Sequence, residues 1–375
     1  MYESRTDQIE PYLGYLWQYG ATDLHLSAGS VPRVRIDGKL VTIPEAPVST
    51  PGFVETAIRD LLADGDYRTF EDERQLDFAF GWADTARFRA NAFYQMDRPG
   101  LALRLIPTDI PTPEQLGLPA ACGQLVTRPH GLVLMTGPTG SGKSTTLAAM
   151  IGWINQHRPV HILTIEDPVE YVHNSKMALV NQREVGTDAV SFADGLKAAL
   201  REDPDVILVG EMRDIETISL TLTLAETGHL VFATLHTNDA SQTVDRIIDV
   251  FPADQQEQIR TQFAMSLAAV ISQRLVPKIG GGRVAAYEIL MGTSAVSNLI
   301  REGKVRQLRN IIATGQREGM CVLEQSLGNL VAQGIISVEE AWAASVHPED
   351  ISALHSSHQD PNVGGTPNTD PGIRL

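Results

Sequence analysis

The chain has 375 residues, 43% hydrophobic and 20% charged, with 46 Asp plus Glu against 30 Lys plus Arg for a formal net charge of −16. That composition excludes a disordered, collagen-like or low-complexity chain, and the length suffices for two domains. Cys122 and Cys321 stand alone in sequence, which excludes a CxxC zinc element and a disulfide framework. The acidic balance opposes a role built on broad attraction to nucleic acid or anionic lipid.

Residues 1–17 lack the basic and apolar regions of a signal peptide, and no uncharged apolar run is long enough to span a membrane, so a soluble, cytoplasmic protein is expected. Over residues 1–106, short strand-like runs such as 31–36 alternate with helical stretches such as 55–62, which predicts a small α+β domain. Residues 107–119 carry Pro107, Pro111, Pro113 and Pro119. These limit helix and strand propagation and predict an interdomain linker. Beyond it the apolar runs 132–136, 161–165, 206–209 and 229–235 are separated by amphipathic helical spans. This is the pattern of a mostly parallel sheet covered on both faces, and so of an α/β domain over 120–346. The pattern turns helical from Thr293, and the Pro-, Gly-, Ser- and Asp-rich residues 347–375 predict a disordered tail.

The sharpest motif is Gly137-Pro138-Thr139-Gly140-Ser141-Gly142-Lys143-Ser144-Thr145, a G-x4-G-K-[ST] sequence between the strand-like GLVLMT and the helix-like TLAAMIGWI. Glycines let the backbone turn its N–H groups inward, and the following helix N-terminus adds partial positive charge. Lys143 then reaches the outer phosphates and Ser144 can ligate magnesium. Gly137, Thr139, Gly140, Ser141, Gly142, Lys143, Ser144 and Thr145 are the predicted nucleotide-binding residues.

Two further strand-like runs end in carboxylates. VILVGEMRD places Glu211 68 residues beyond Lys143, where such proteins hold the magnesium or polarise the attacking water. Gly210 stands where an Asp is usual. HILTIEDPVE places Glu166 and Asp167 at a strand end, where ligands sit in an open parallel sheet. Glu166 is the candidate base, by taking a proton or by orienting water. His229 and His236 bracket HLVFATLH, and a spacing of seven along a strand puts them on opposite faces, which argues against a shared metal site. Both are candidates for sensing the γ-phosphate, His236 beside Thr237 and Asn238 at the strand's C-terminal end.

GPTGSGKST, HILTIEDPVE, VILVGEMRD and AETGHLVFATLHTNDA, in this order, resemble the Walker A, Asp box, atypical Walker B and His box of the secretion ATPases of type II secretion and type IV pili. Among these the chain most resembles the PilT-type retraction ATPases, over about residues 5–345. The resemblance implies a PAS-like N-terminal domain, a RecA-like C-terminal domain, a homohexameric ring, and ATP with Mg2+ bound between the domains, the metal on Ser144 and Glu211. Arg89 in RFRANAFYQ and Arg104 in ALRLIP match family arginines that reach the phosphates when the domains close; without the resemblance both read as exposed strand residues.

Assembly-type members usually carry an additional N-terminal domain and a four-cysteine zinc element, and neither is expected here, which favours retraction. The AIRNLIRE motif of PilT-type proteins matches residues 295–302, with Val296 and Ser297 in place of Ile and Arg. That leaves an accessory, PilU-like paralogue as the alternative. The reading is a hexameric ATP hydrolase that drives pilus depolymerisation and twitching motility, peripheral to the inner face of the cytoplasmic membrane at the pilus base. Its implied partners are an inner-membrane platform protein and a paralogous retraction ATPase. A RecA-like nucleic-acid motor is disfavoured by the acidic composition and the lack of an aromatic and basic stripe.

Overall fold

The computed structural model describes residues 6–36, 38–82, 85–106 and 109–351. The chain divides into two compact units, one running to Pro111 and including Pro168–Asn174, the other comprising Thr112–Asp167 and the chain from Ser175 onward.

The first unit contains α1 (Glu10–Gln18), β1 (Asp23–Ser27), β2 (Arg33–Ile36), β3 (Lys39–Thr42), α2 (Pro51–Leu61), α3 (Asp64–Glu73), β4 (Gln75–Trp82), β5 (Ala86–Gln95) and β6 (Arg98–Ile106). Its six strands lie in the order β3-β2-β1-β6-β5-β4, and every neighbouring pair is antiparallel. The two-residue period of the strands buries Leu24, Leu26, Val34, Phe88, Leu101 and Leu103 against Leu13 and Leu16 of α1, Val54 and Ile58 of α2, and Phe70 of α3. The same alternation sets Arg89, Arg104, Asp23 and Arg35 in one cross-strand row on the other face. This meets the α+β expectation.

The second unit opens with α4 (Ala120–Leu125), β7 (Gly131–Thr136), α5 (Lys143–His157), β8 (His161–Glu166), β9 (Leu179–Glu184), α6 (Phe192–Ala199), β10 (Val206–Val209), α7 (Ile215–Glu226) and β11 (Leu230–Leu235). It continues with α8 (Ala240–Asp249), α9 (Gln256–Ser266), β12 (Leu267–Pro277) and β13 (Arg283–Met291), and closes with α10 (Ser294–Arg301), α11 (Leu308–Thr314), α12 (Leu323–Ala332) and α13 (Val338–Ala344). The sheet runs β13-β12-β7-β11-β10-β8-β9, parallel throughout except for β13 at its edge. Every residue of β7, β10 and β11 is buried, as apolar runs covered on both faces require. The mostly parallel sheet is therefore as expected. Because β7, β11, β10 and β8 point the same way, their C-terminal ends lie along one edge.

The chain remains ordered past the point where the tail was expected to begin. The carboxylate of Glu324, 1% exposed, accepts from Ser345 Oγ at 3.0 Å and from the His347 backbone N–H at 3.1 Å, while Arg309 donates to it at 3.1 Å. Ile351 is buried in the cluster that contains Leu323 and Leu327. The expectation of disorder from residue 347 is thus corrected for residues 347–351, and its remainder lies outside the described residues. Among the described residues no helix is long and apolar enough to cross a membrane.

Phe88 is fully buried and stacks on Phe80 with ring centroids 5.4 Å apart. Phe88→Ala is expected to destabilise the first unit by about 3–5 kcal/mol, measured as a lowered denaturant midpoint.

Candidate functional site

The glycine loop links the end of β7 to the start of α5. At Gly137 the backbone has φ +139° and passes so close to β12 that an added Cβ would lie 2.3 Å from the Gln273 carbonyl oxygen. At Gly142, φ is +86° and a Cβ would lie 2.9 Å from Gln273 Nε2. Gly140 also has a positive φ, +78°, but faces open space. Lys143 is buried, and its ammonium donates to the carbonyls of Gly137 at 2.8 Å and Pro138 at 3.2 Å. Ser144 and Thr145 follow in the first turn of α5, where the helix dipole favours an anion. Pro138, Thr139, Gly140 and Ser141 line a cleft of about 330 Å³ with Asn238, Arg274 and Arg283.

Along the same edge, β8 and β10 deliver the two predicted carboxylates. Glu166 accepts from Thr164 Oγ1 at 2.6 Å and from Gln182 Nε2 at 3.2 Å. The N–H of Gly210 donates to the Ile165 carbonyl at 2.8 Å. A Cβ at Gly210 would sit 3.1 Å from Glu166 Cα and 3.3 Å from the Ile165 oxygen. A side chain at this position would therefore be tightly placed against β8. Glu211 follows immediately, with one oxygen 2.6 Å from Arg213 Nη2 and the other 3.2 Å from His236 Nε2. Burial resists its ionisation, but Arg213 and His236 outweigh that effect and hold the carboxyl below the usual carboxylate range.

The histidines separate. His236 follows β11 at the edge that carries the loop and contacts Glu211. His229 precedes β11, where its Nδ1 lies 2.9 Å from the Leu224 carbonyl and its own carbonyl accepts from Gly131 N at 3.0 Å. Both therefore lie just outside the strand, at opposite ends about 20 Å apart, rather than on its two faces. Within one chain the structure does not bring His229 to the phosphate loop.

Arg89 and Arg104 belong to the first unit, on paired positions of β5 and β6. Both are exposed. Arg104 Nε donates to Asp23 Oδ1 at 2.8 Å, while its side chain stays 66% exposed. Asp23, itself buried, also accepts from Thr22 Oγ1 at 2.7 Å and lies 3.7 Å from Arg35 Nε. Asp23 therefore fixes the near side of the Arg104 guanidinium.

Sequence reasoning missed Gln273, Arg274 and Arg283, which come from β12 and β13, and Glu288 of β13. Glu288 Oε1 accepts from the Ala240 N–H at 2.8 Å, at the start of α8 just after the His236 turn. Burial is the largest influence on its carboxyl, with Asp239 and Glu324 adding to it, and the pKa is pushed up to about 7. Among the described residues no group of three His, Cys, Asp or Glu could by itself hold a metal ion.

A glycine loop between a central parallel strand and a helix, with carboxylates on neighbouring strand ends, defines a P-loop nucleotide-binding protein. Residues 7–343 match the family of type II/IV secretion system proteins, and the chain belongs to that family. It is 51% identical over 343 residues to the type IV pilus retraction ATPase PilT of Pseudomonas aeruginosa, covering 92% of this chain and 99% of the relative. It is 40% identical over 348 residues to the type IV pilus ATPase PilU of the same organism, covering 92% and 91%. A crystal structure of the pilus retraction motor PilT with bound ADP superposes with a TM-score of 0.86 at 48% identity, covering 92% of this chain and 99% of that one.

Two outcomes follow from this geometry. Gly137→Ala is expected to abolish nucleotide binding, whereas Gly140→Ala, strained only by its backbone conformation at about 1–2 kcal/mol, retains it about tenfold weakened; a fluorescent-nucleotide titration measures both. The folded pKa of Glu288 is raised above its unfolded value, so its contribution to stability is full below the usual Glu range and is lost as pH rises through about 7. Glu288→Gln keeps the acceptor for Ala240, so the variant is expected to gain Tm relative to the native chain between about pH 4.5 and 7 and to hold that gain above it.

Proposed function

We propose that the chain is a ring-forming ATP hydrolase that drives type IV pilus retraction. The observation that carries this reading is the phosphate loop with Glu166 and Glu211 on neighbouring strand ends, in a chain alignable over 92% of its length with a retraction ATPase.

In this reading Gly137, Thr139, Gly140, Ser141, Gly142, Lys143, Ser144 and Thr145 bind the triphosphate. The Lys143 ammonium, which rests on the Gly137 and Pro138 carbonyls, transfers to the phosphate oxygens. Ser144 and Glu211 are oxygen donors of the kind a hard divalent cation takes, and they would hold Mg2+, which would supply charge neutralisation at the phosphates. Glu166 and Glu211 serve water and the cation: one orients the water or takes its proton, while the other would help to hold the cation. His236, against Glu211, links the γ-phosphate end of the site to β11 and the start of α8. His229 is left for a contact made outside its own chain's site.

Arg89 and Arg104 close over the phosphates from the first unit, stabilising developing charge as a mobile arginine does. The domains are taken as residues 1–106 and 120–346, joined by the proline-rich 107–119, whose described part holds no helix or strand. Sequential closure around a homohexamer would displace an inner-membrane platform protein, with the ring peripheral to the cytoplasmic face of that membrane.

The accessory, PilU-like reading rests on Ser297. Its hydroxyl donates to the Ala264 carbonyl at 2.7 Å, turning inward against α9 where PilT-type motifs place an arginine. The higher identity to PilT than to PilU favours the motor.

Glu166→Gln and Glu211→Gln are each expected to lower ATP turnover by about 100-fold or more. Expressed in a piliated bacterium that lacks its retraction ATPase, the chain is expected to restore twitching, and Glu211→Gln is not. Intact turnover without restored twitching would instead support the accessory reading.

A further inference from the structure

One side chain of β12 meets the phosphate loop at several points. Gln273 is 2% exposed. Its Nε2 donates to the Ser141 carbonyl at 2.7 Å, near the apex of the loop. Its Oε1 accepts from Thr146 Oγ1 at 2.8 Å, in the first turn of α5. Its backbone carbonyl excludes a Cβ at Gly137, and its amide nitrogen lies 2.9 Å from where a Cβ at Gly142 would sit. Immediately before it, Ser272 Oγ pairs with Thr136 Oγ1 at 2.8 Å, which locks the end of β7 to the same strand.

The chemistry of these partners fixes the amide orientation. A carbonyl only accepts, so the nitrogen must face Ser141, and the Thr146 hydroxyl then donates to the amide oxygen. An apolar residue of the same shape would leave a carbonyl and a hydroxyl buried beside the loop without these partners, which disfavours the observed loop shape.

We propose that Gln273 is a positioning residue for nucleotide binding, holding the phosphate loop in its anion-accepting shape before the nucleotide arrives. The inference rests on the reading of residues 137–145 as the nucleotide site. Preorganisation of this kind acts on affinity, because the ordering of the loop is complete before binding. It has little bearing on the chemical step once the nucleotide is bound.

The test uses the full chain, with ADP binding by calorimetry and ATP turnover across substrate concentration. Gln273→Met is expected to weaken ADP binding and to raise KM about tenfold, with kcat at saturation within about threefold of the native value. Gln273→Glu cannot donate to Ser141 while ionised, so its affinity deficit relative to the native chain should shrink as pH falls and the buried carboxyl protonates. Native ADP affinity in Gln273→Met, or a fall in kcat with KM unchanged, would overturn the proposal. If both variants fail to fold, Thr146→Val removes one of the two bonds; a several-fold loss of ADP affinity supports the proposal and native affinity overturns it. Gly137→Ala separates the two readings. If it binds ADP like the native chain, the nucleotide site itself is misassigned; if it loses binding while Gln273→Met retains it, only the positioning role fails.

Discussion

The second unit depends on one reversal of the chain, between Thr136 and Lys143, made where β7 passes too close to β12 for any side chain. Gly137 tolerates that approach only because it has no Cβ. The reversal turns a fully buried strand into a helix within six residues. It also leaves the N-terminal amides of α5 at the sheet edge, pointing at whatever anion sits there. The parallel alignment of β11, β10 and β8 with β7 then places His236, Glu211 and Glu166 on the same edge without any further device. The site is thus a consequence of strand direction plus one glycine turn.

Its electrostatics follow from what each carboxylate meets. Glu211 is partly buried, yet its contacts with Arg213 and His236 hold its carboxyl below the usual carboxylate range. Glu288 is more deeply buried, and the hydrogen bond from Ala240 does not offset burial together with the nearby negative charge of Asp239 and Glu324. Two carboxylates that bracket the turn from β11 into α8 are therefore driven in opposite directions, one charged at neutral pH and one near its midpoint. In the first unit Asp23 fixes Arg104 beside Arg89. That arrangement reduces the orientational freedom of a cation whose proposed role requires it to arrive in one geometry.

Much of this was legible in the sequence because the signals were local. The run GLVLMT followed by a glycine loop and a helix-forming stretch can be read from neighbouring residues alone, and β8, β10 and β11 were visible as short β-rich runs. What escaped was set by tertiary contact. In residues 267–277 the polar Ser272, Gln273 and Arg274 interrupt an apolar run, a pattern that does not mark a core strand beside a phosphate loop. Ser272 and Gln273 are there for partners more than 120 residues away in sequence. The spacing alone sets His229 on a strand face, but β11 begins at Leu230, so His229 lies in the loop one residue before it. The ordered residues 347–351 were hidden because Glu324, which holds them, lies 23 residues earlier than His347. The glycine at position 210 departs from the usual pattern at a point where a Cβ would lie 3.1 Å from the Glu166 backbone.

The most direct measurement is the rate of phosphate release from Mg-ATP by the purified chain beside Lys143→Ala. The account predicts steady hydrolysis by the native chain and a loss of about 100-fold or more in the variant, because the ammonium set on the loop is the group that meets the outer phosphates. Equal rates in the two proteins, or no hydrolysis in the native one, would contradict it.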